Sequence, residues 1–187
     1  NELIDNDAFV LSQYDIMAGR MPESHNEMVL IVDNFNRLSA SVFNSLGLST
    51  EDTFRFVDFI GLEFFFIPND VFYSYSSELD RYIANSLHVG MKTATGVERI
   101  EIVGVLRGNS ETSLFLLDDG LYYPKSLTDF ALTSAANSAI VLAQIEAGDT
   151  KNVLTGQPFT SNTQYLNTLK NIGAIATPSQ IHIYPVD

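Results

Sequence analysis

VERIEIVGVLR, residues 97–107, decides how the rest of the chain is read. Ile100, Ile102, Gly104 and Leu106 alternate along one face, and Val103 and Val105 make the second half apolar on the other. Alternation marks a strand with one covered side, whereas a stretch apolar on both sides needs cover on both. The inner half of this segment is therefore expected at the centre of a sheet. MVLIV, residues 28–32, is an unbroken β-favouring run and reads as a second strand covered on both faces.

Outward from these two strands the pattern changes. Residues 1–13 mix Asp and Asn with Phe9, Val10 and Leu11, which leaves their type open. Gly19, Pro22, Ser24 and Asn26 mark 14–27 as a loop. Phe35, Leu38, Val42 and Leu46 recur at helical spacing, with Asn34 placed to cap the start and Gly47 the end. Phe54 and Phe56 flank Arg55 in a short alternating run that stops at Gly61. EFFFI at 63–67 and VFYSY at 71–75 are separated by Pro68, Asn69 and Asp70, which predicts two antiparallel strands joined by a short loop. Residues 76–95 are polar and ambiguous.

Beyond the central strand, Pro124 sits where a helix begins, and Leu127, Phe130 and Ala131 predict one over about 125–135. SAIVLAQ, residues 138–144, either extends that helix or forms a strand; the punctuation by Asn137 before it and Gly148 after it favours a strand. Ser161 and Gln164 form a capping-box pattern, and Tyr165, Leu169 and Ile172 supply an apolar stripe up to Gly173. Pro178 opens a terminal strand in which Ile181 and Ile183 face one way. The whole reads as α+β, a mixed sheet with packed helices in one unit or two lobes.

The chain has 187 residues with 23 acidic and 10 basic side chains, a formal charge of −13, and 45% of it is hydrophobic. That much apolar matter, with thirteen Phe and eight Tyr, is incompatible with a disordered composition. A net −13 is repelled by phosphate, which speaks against direct nucleic-acid binding. With no cysteine there are no disulfides, thiolate metal sites or cysteine nucleophiles. No internal apolar run approaches the ~18 residues of a membrane helix. The chain opens on Asn1 and closes just after the apolar run Ile181–Val186, so both ends are expected to have been cut from something longer.

Reactive groups are scattered. His25, His88 and His182 lie in different segments and no HExxH occurs, so each reads as a solvated or hydrogen-bonded residue and no metal or cofactor is expected. Neither a nucleophile elbow nor a phosphate-binding glycine loop is present. The acidic neighbours Glu51–Asp52 and Asp118–Asp119 follow from composition and lie in no calcium-loop pattern. Phe64–Phe66 with Phe72, Tyr73 and Tyr75 read as core, or as a surface for a lipid or peptide.

YDIMAGRMPESHNEMVLIV, residues 14–32, resembles a recurring stretch in the extracytoplasmic domains of FtsX-like and MacB-like ABC transporter permeases. There a Gly-Arg pair, a Pro and a Glu opening an apolar strand recur in the order found here as Gly19, Arg20, Pro22 and Glu27. IEIVGVLRG, residues 100–108, is similar to the family's apolar strand ending in a Val-Gly-Val turn at Gly104. LYYPKSL, residues 121–127, is similar to its aromatic-then-Pro stretch at Pro124, and residues 178–187 resemble the end of the loop domain in Gram-positive members. Residues from about 62 to 95 depart from the pattern as an elaboration.

The resemblance implies a MacB-like periplasmic-core type of fold and a place on the extracytoplasmic side of the cell membrane, between the first two transmembrane helices of a permease. It implies ATP hydrolysis by a separate cytoplasmic ATP-binding subunit, no catalytic residue here, and a role in transport or mechanical signalling with an outside peptide, lipid or protein partner. A secreted or surface-anchored ligand-binding module is the alternative. Within the joint from Gly19 to Glu27, Gly19 permits an unusual backbone angle, Pro22 restricts φ, and Arg20 either pairs with Glu27 across the loop or stays solvated.

Overall fold

In the computed structural model, residues 1–86, 89–110 and 116–175 are described. The chain divides into two compact units, one of residues 1–66 and 98–130, the other of 67–97 and 131–187. The stretch set apart in the sequence, about 62–95, is split between them.

The first unit is an α+β arrangement on a five-stranded mixed sheet. Its strands are β1 (Tyr14–Gly19), β2 (Glu27–Val32), β3 (Glu63–Phe66), β6 (Glu98–Gly108) and β7 (Gly120–Tyr122). Strand β6 is the centre, as its two-sided apolar pattern predicts. β2 runs parallel along one edge of it, with Glu27 opposite Glu101 and Val32 opposite Arg107, and β7 pairs antiparallel with β2. A strand has only two edges, so β1 and β3 share the other, end to end. β3 lies antiparallel from Glu63 opposite Glu101 to Phe66 opposite Glu98, and β1 antiparallel from Tyr14 opposite Gly108 to Gly19 opposite Gly104.

Both faces of the sheet are covered. One carries Met28, Leu30, Val32, Ile100, Ile102 and Val105, with Phe59 and Leu127; the other carries Val29, Ile31 and Leu106, with Leu3, Val10, Tyr14 and Tyr122. Each of these large aliphatic side chains, once fully buried, contributes on the order of 2 kcal/mol. The single-face reading of Ile102 and Leu106 fails here for a specific reason. Val103 is an extra residue on β6 between the partners of Met28 and Val29, and this bulge flips the alternation, so Ile102 and Val105 share one face while Leu106 takes the other.

Other sequence expectations need correction. Residues 14–19 are a strand rather than the start of a loop, held by β6 despite their mixed composition. They follow helix α1 (Asp7–Gln13), whose first turn is capped by the Asn6 side chain. The helix expected from Asn34 begins only at Ser39 and covers α2 (Ala40–Ser45). The Asp33 carboxylate explains this, since it accepts the N–H groups of both Phe35 and Arg37 and folds 33–37 into a turn that leaves Phe35 74% exposed. Around Arg55, residues Phe56–Phe59 form a 3-10 turn in which Asp58 accepts the Arg55 N–H.

The second unit contains α3 (Asn69–Phe72), a two-stranded sheet of β4 (Tyr73–Ser76) and β5 (Arg81–Ala84), and the helices α5 (Ala139–Ala147) and α6 (Asn162–Asn171); α4 (Lys125–Ala136) precedes α5. The two aromatic runs are therefore not partners: 63–66 pairs with β6, and 73–76 pairs with β5. Pro68, Asn69 and Asp70 start a helix instead of a hairpin turn. The Pro68 carbonyl accepts from Val71 and Phe72, the Asn69 amide donates to the Ser138 hydroxyl and the Ile172 carbonyl, and the Asp70 carboxylate accepts the Ala139 N–H.

Residues 139–147 form a helix, not the favoured strand. Ser138 stands at its start and Gly148 at its end, and Gln144 is fully buried on its inner face. Helices over 125–136 and 162–171 are as expected, the latter with the Ser161 hydroxyl accepting the Gln164 N–H. Ile140, Val141, Val153 and Ile172 form this unit's core. The strand expected from Pro178 lies outside the described residues, as do His88 and His182.

Candidate functional site

The residues singled out by the resemblance meet at one place. β1 lies on one edge of β6 and β2 on the other, so residues 20–26 must carry the chain across β6. Gly19 turns with φ at +70°, and the Arg20 N–H then donates to the Val103 carbonyl at 2.9 Å. On the far side the Asn26 carbonyl accepts the Glu101 N–H at 3.0 Å, and β2 begins at Glu27.

The crossing is tight because two side chains are missing. A Cβ on Gly104 would lie 2.1 Å from the Arg20 carbonyl oxygen, and a Cβ on Gly19 2.0 Å from the Val103 oxygen. Main chain passes directly over main chain, with the bulge at Val103 presenting the carbonyl that anchors it. Gly104 thus sits inside a strand rather than in a Val-Gly-Val turn.

The ends of the crossing are stapled. The Arg20 guanidinium donates to both Glu27 carboxylate oxygens, Nη1 to Oε2 at 2.7 Å and Nη2 to Oε1 at 2.5 Å, and Nη1 also reaches the Met21 carbonyl. Glu27 further accepts the Glu23 N–H at 2.7 Å. This fork-to-fork pairing, followed by the backbone donors, holds the Glu27 carboxyl down at about 2, well below its usual 4.5. A depressed acid contributes stability that is present above about pH 4.5 and lost as pH falls toward 2.

Two results follow for purified protein. Acid unfolding of the wild type should draw on this window, and Glu27→Gln should lack that component while being less stable at neutral pH. Arg20→Ala should lower the melting temperature modestly with folding retained; unchanged melting would remove the staple from the account.

Pro22 and Pro124 come together as well. With Leu3, Ile4, Asp5, Asp7 and Lys125 they line a hollow of about 30 Å³, room for a water or two. It is too small for an organic ligand.

Asp119 accepts the Ser39 N–H at 2.6 Å and so ties down the start of α2. Glu51 and Asp52 lie exposed beside a turn in which the Ser49 carbonyl accepts the Asp52 N–H. No group of three or more His, Asp or Glu side chains among the described residues is placed to hold a metal. Of the aromatics, Phe64 and Phe66 pack on the first unit's core and Tyr73 on the second's, whereas Tyr75 is 54% exposed and donates its hydroxyl to Asp80. Asp80 also receives Lys151 at 2.6 Å; the Lys151 and Tyr75 bonds lower its carboxyl pKa, while the bond to Asp80 raises that of the Tyr75 phenol, and together they knit the β4–β5 turn to residue 151.

Sequence reasoning named Gly19, Arg20, Pro22, Glu27, Gly104 and Pro124 separately but missed that the two glycines serve one contact. It also missed the environment of His25, whose ring stacks on Phe130 at 4.7 Å. No single helix among the described residues is long and apolar enough to cross a membrane. Comparison of the chain with protein-family models, curated proteins and solved structures returns no match in any of the three.

Proposed function

We propose that the chain is a non-catalytic extracytoplasmic domain of an ABC transporter permease, coupling ATP hydrolysis by a cytoplasmic ATP-binding subunit to transport or mechanical signalling outside the membrane. One observation carries this reading. The three described segments that resemble the permease domains are the adjacent strands β1, β6, β2 and β7 of one sheet, and their most distinctive residues, Gly19, Arg20, Glu27 and Gly104, fit a single crossing. A stapled crossing ties the end of β1 to the start of β2, the kind of link a mechanical coupler would use.

The test uses the absence of cysteine. Ser77→Cys, in the exposed turn between β4 and β5, is introduced into the full-length parent protein, with the unsubstituted parent as background. Labelling of membrane-fraction protein by a membrane-impermeant maleimide in intact cells is expected. Labelling only after lysis sinks the proposal, and protein recovered from the medium instead of the membrane fraction favours a secreted binding module.

A further inference from the structure

Between Val32, which closes β2, and Phe59, in the 3-10 turn ahead of β3, no residue is buried. Helix α2, which lies in this stretch, has no buried side chain. Yet the stretch covers one whole face of the sheet. Leu38, Val42, Leu46, Leu48, Phe54 and Phe56 pack, each only half-buried, on the cluster that holds Met28, Leu30, Val32, Ile102 and Val105. Apolar stabilisation scales with the area removed from water, so these covering side chains are held more weakly than the core they cover.

The polar bonds of the stretch are almost all its own. The N–H groups of Val42 and Phe43 donate to the Ser39 carbonyl, Leu46 to Val42 and Leu48 to Phe43. Arg55 pairs with Asp58 at 2.7 Å. Among the described residues, one hydrogen bond joins 38–58 to a distant part of the unit, from the Ser39 N–H to Asp119 Oδ2 at 2.6 Å. Both ends, in contrast, are pinned. Arg107 of β6 donates to Asn36 at 2.8 Å just before the stretch, and Phe59 is sunk in the core just after it. We propose that residues 38–58 form a strap that lifts from the sheet as a unit, with the Ser39–Asp119 bond as its latch.

Lifting breaks the latch and returns half-buried side chains to water, while the strand ladders hold. A segment with few buried contacts and its own internal hydrogen bonds opens at a lower free energy than the whole domain unfolds. The surface it uncovers is aliphatic, with Leu30 and Ile102 fully buried beneath the closed strap. The opposite face, with Val29, Ile31 and Leu106, stays covered. The sheet thus carries a device that exposes one apolar face and keeps the other shut. The inference concerns the first unit alone and does not rest on the permease reading.

Leu30 and Ile31 test it, being neighbours on β2, both fully buried, on opposite faces. In this chain without cysteine, Leu30→Cys and Ile31→Cys report the opening of each face through their rates of reaction with the uncharged reagent 4,4′-dithiodipyridine. Relative to the unfolded chain, Leu30→Cys should react at least about 30-fold faster than Ile31→Cys, at a rate nearly independent of denaturant below the unfolding transition. Ile31→Cys should follow global unfolding, with its full denaturant slope. Adding Asp119→Ala should speed Leu30→Cys about 10-fold and keep its flat slope. Should Leu30→Cys fail to fold, hydrogen exchange of the α2 amides reads the same opening, with one shared low slope in the wild type and faster exchange in Asp119→Ala. Equal rates and slopes at the two cysteines, or α2 amides that exchange only through global unfolding, overturn the strap. A Leu30→Cys rate unchanged by Asp119→Ala overturns the latch.

Discussion

Gly104→Ala is expected to unfold the first unit, with a loss upwards of about 4 kcal/mol, a large part of the 5–15 kcal/mol that holds a typical domain. The added methyl would stand 2.1 Å from the Arg20 carbonyl oxygen and 3.1 Å from its carbon. Overpacking against a flexible side chain is relieved by a change of rotamer, but here the obstacle is main chain bonded on both sides of β6. Relief would require breaking the Arg20-to-Val103 or the Glu101-to-Asn26 hydrogen bond, and would pull the Arg20–Glu27 staple apart. Gly19→Ala meets the reciprocal clash at 2.0 Å and adds strain from its φ of +70°. Circular dichroism and a denaturant titration of both variants suffice as measurements. A Gly104→Ala protein melting within a few degrees of wild type would mean that the two backbones do not pass this closely.

In the second unit, Gln144→Leu is expected to cost about 3 kcal/mol, although leucine fills a similar volume and suits a helix. Gln144 is fully buried, donating Nε2–H groups to the Gly148 and Lys151 carbonyls at 2.8 and 2.9 Å and accepting the Val153 N–H at 3.1 Å. One amide thus satisfies three backbone groups where the chain leaves α5. Leucine strands all three, and the gain from apolar burial offsets only part of that. Gln144→Glu separates hydrogen bonding from volume. Its carboxylate can still accept from Val153 but faces two carbonyl oxygens, so burial should raise its pKa and the variant should regain stability as pH falls and the acid protonates. If Gln144→Leu is as stable as wild type at neutral pH, the amide is dispensable and the turn is held by other contacts.

Legibility followed how local the deciding interaction was. β2 and β6 were readable because two-sided cover imprints itself on consecutive residues, and α6 because the Ser161 cap lies three positions from its donor. β1 was not readable, since its strand character comes from β6, some ninety positions away. The helix at 139–147 hid behind a β-branched composition and a polar residue, Gln144, whose partners are the turn carbonyls beyond it. The face reversal after Val103 was illegible for a related reason: a bulge is a property of two strands, while alternation is counted along one. Of the candidate site, the residue types were visible at Gly19, Arg20, Glu27 and Gly104. Their convergence was not, because the space left by a missing Cβ has meaning only once the other backbone is in place.

Phe66 and Glu98 are register partners at the end of the β3–β6 ladder, and every residue between them belongs to the second unit. The antiparallel pair is in effect a hairpin stem whose tip has been replaced by the 67–97 insert. Closing so large a tip is entropically mild, since each doubling of a loop adds only about 0.6 kcal/mol. The stem therefore makes a graft point, at which a segment as long as 67–97 is accommodated while the β3–β6 pairing is kept.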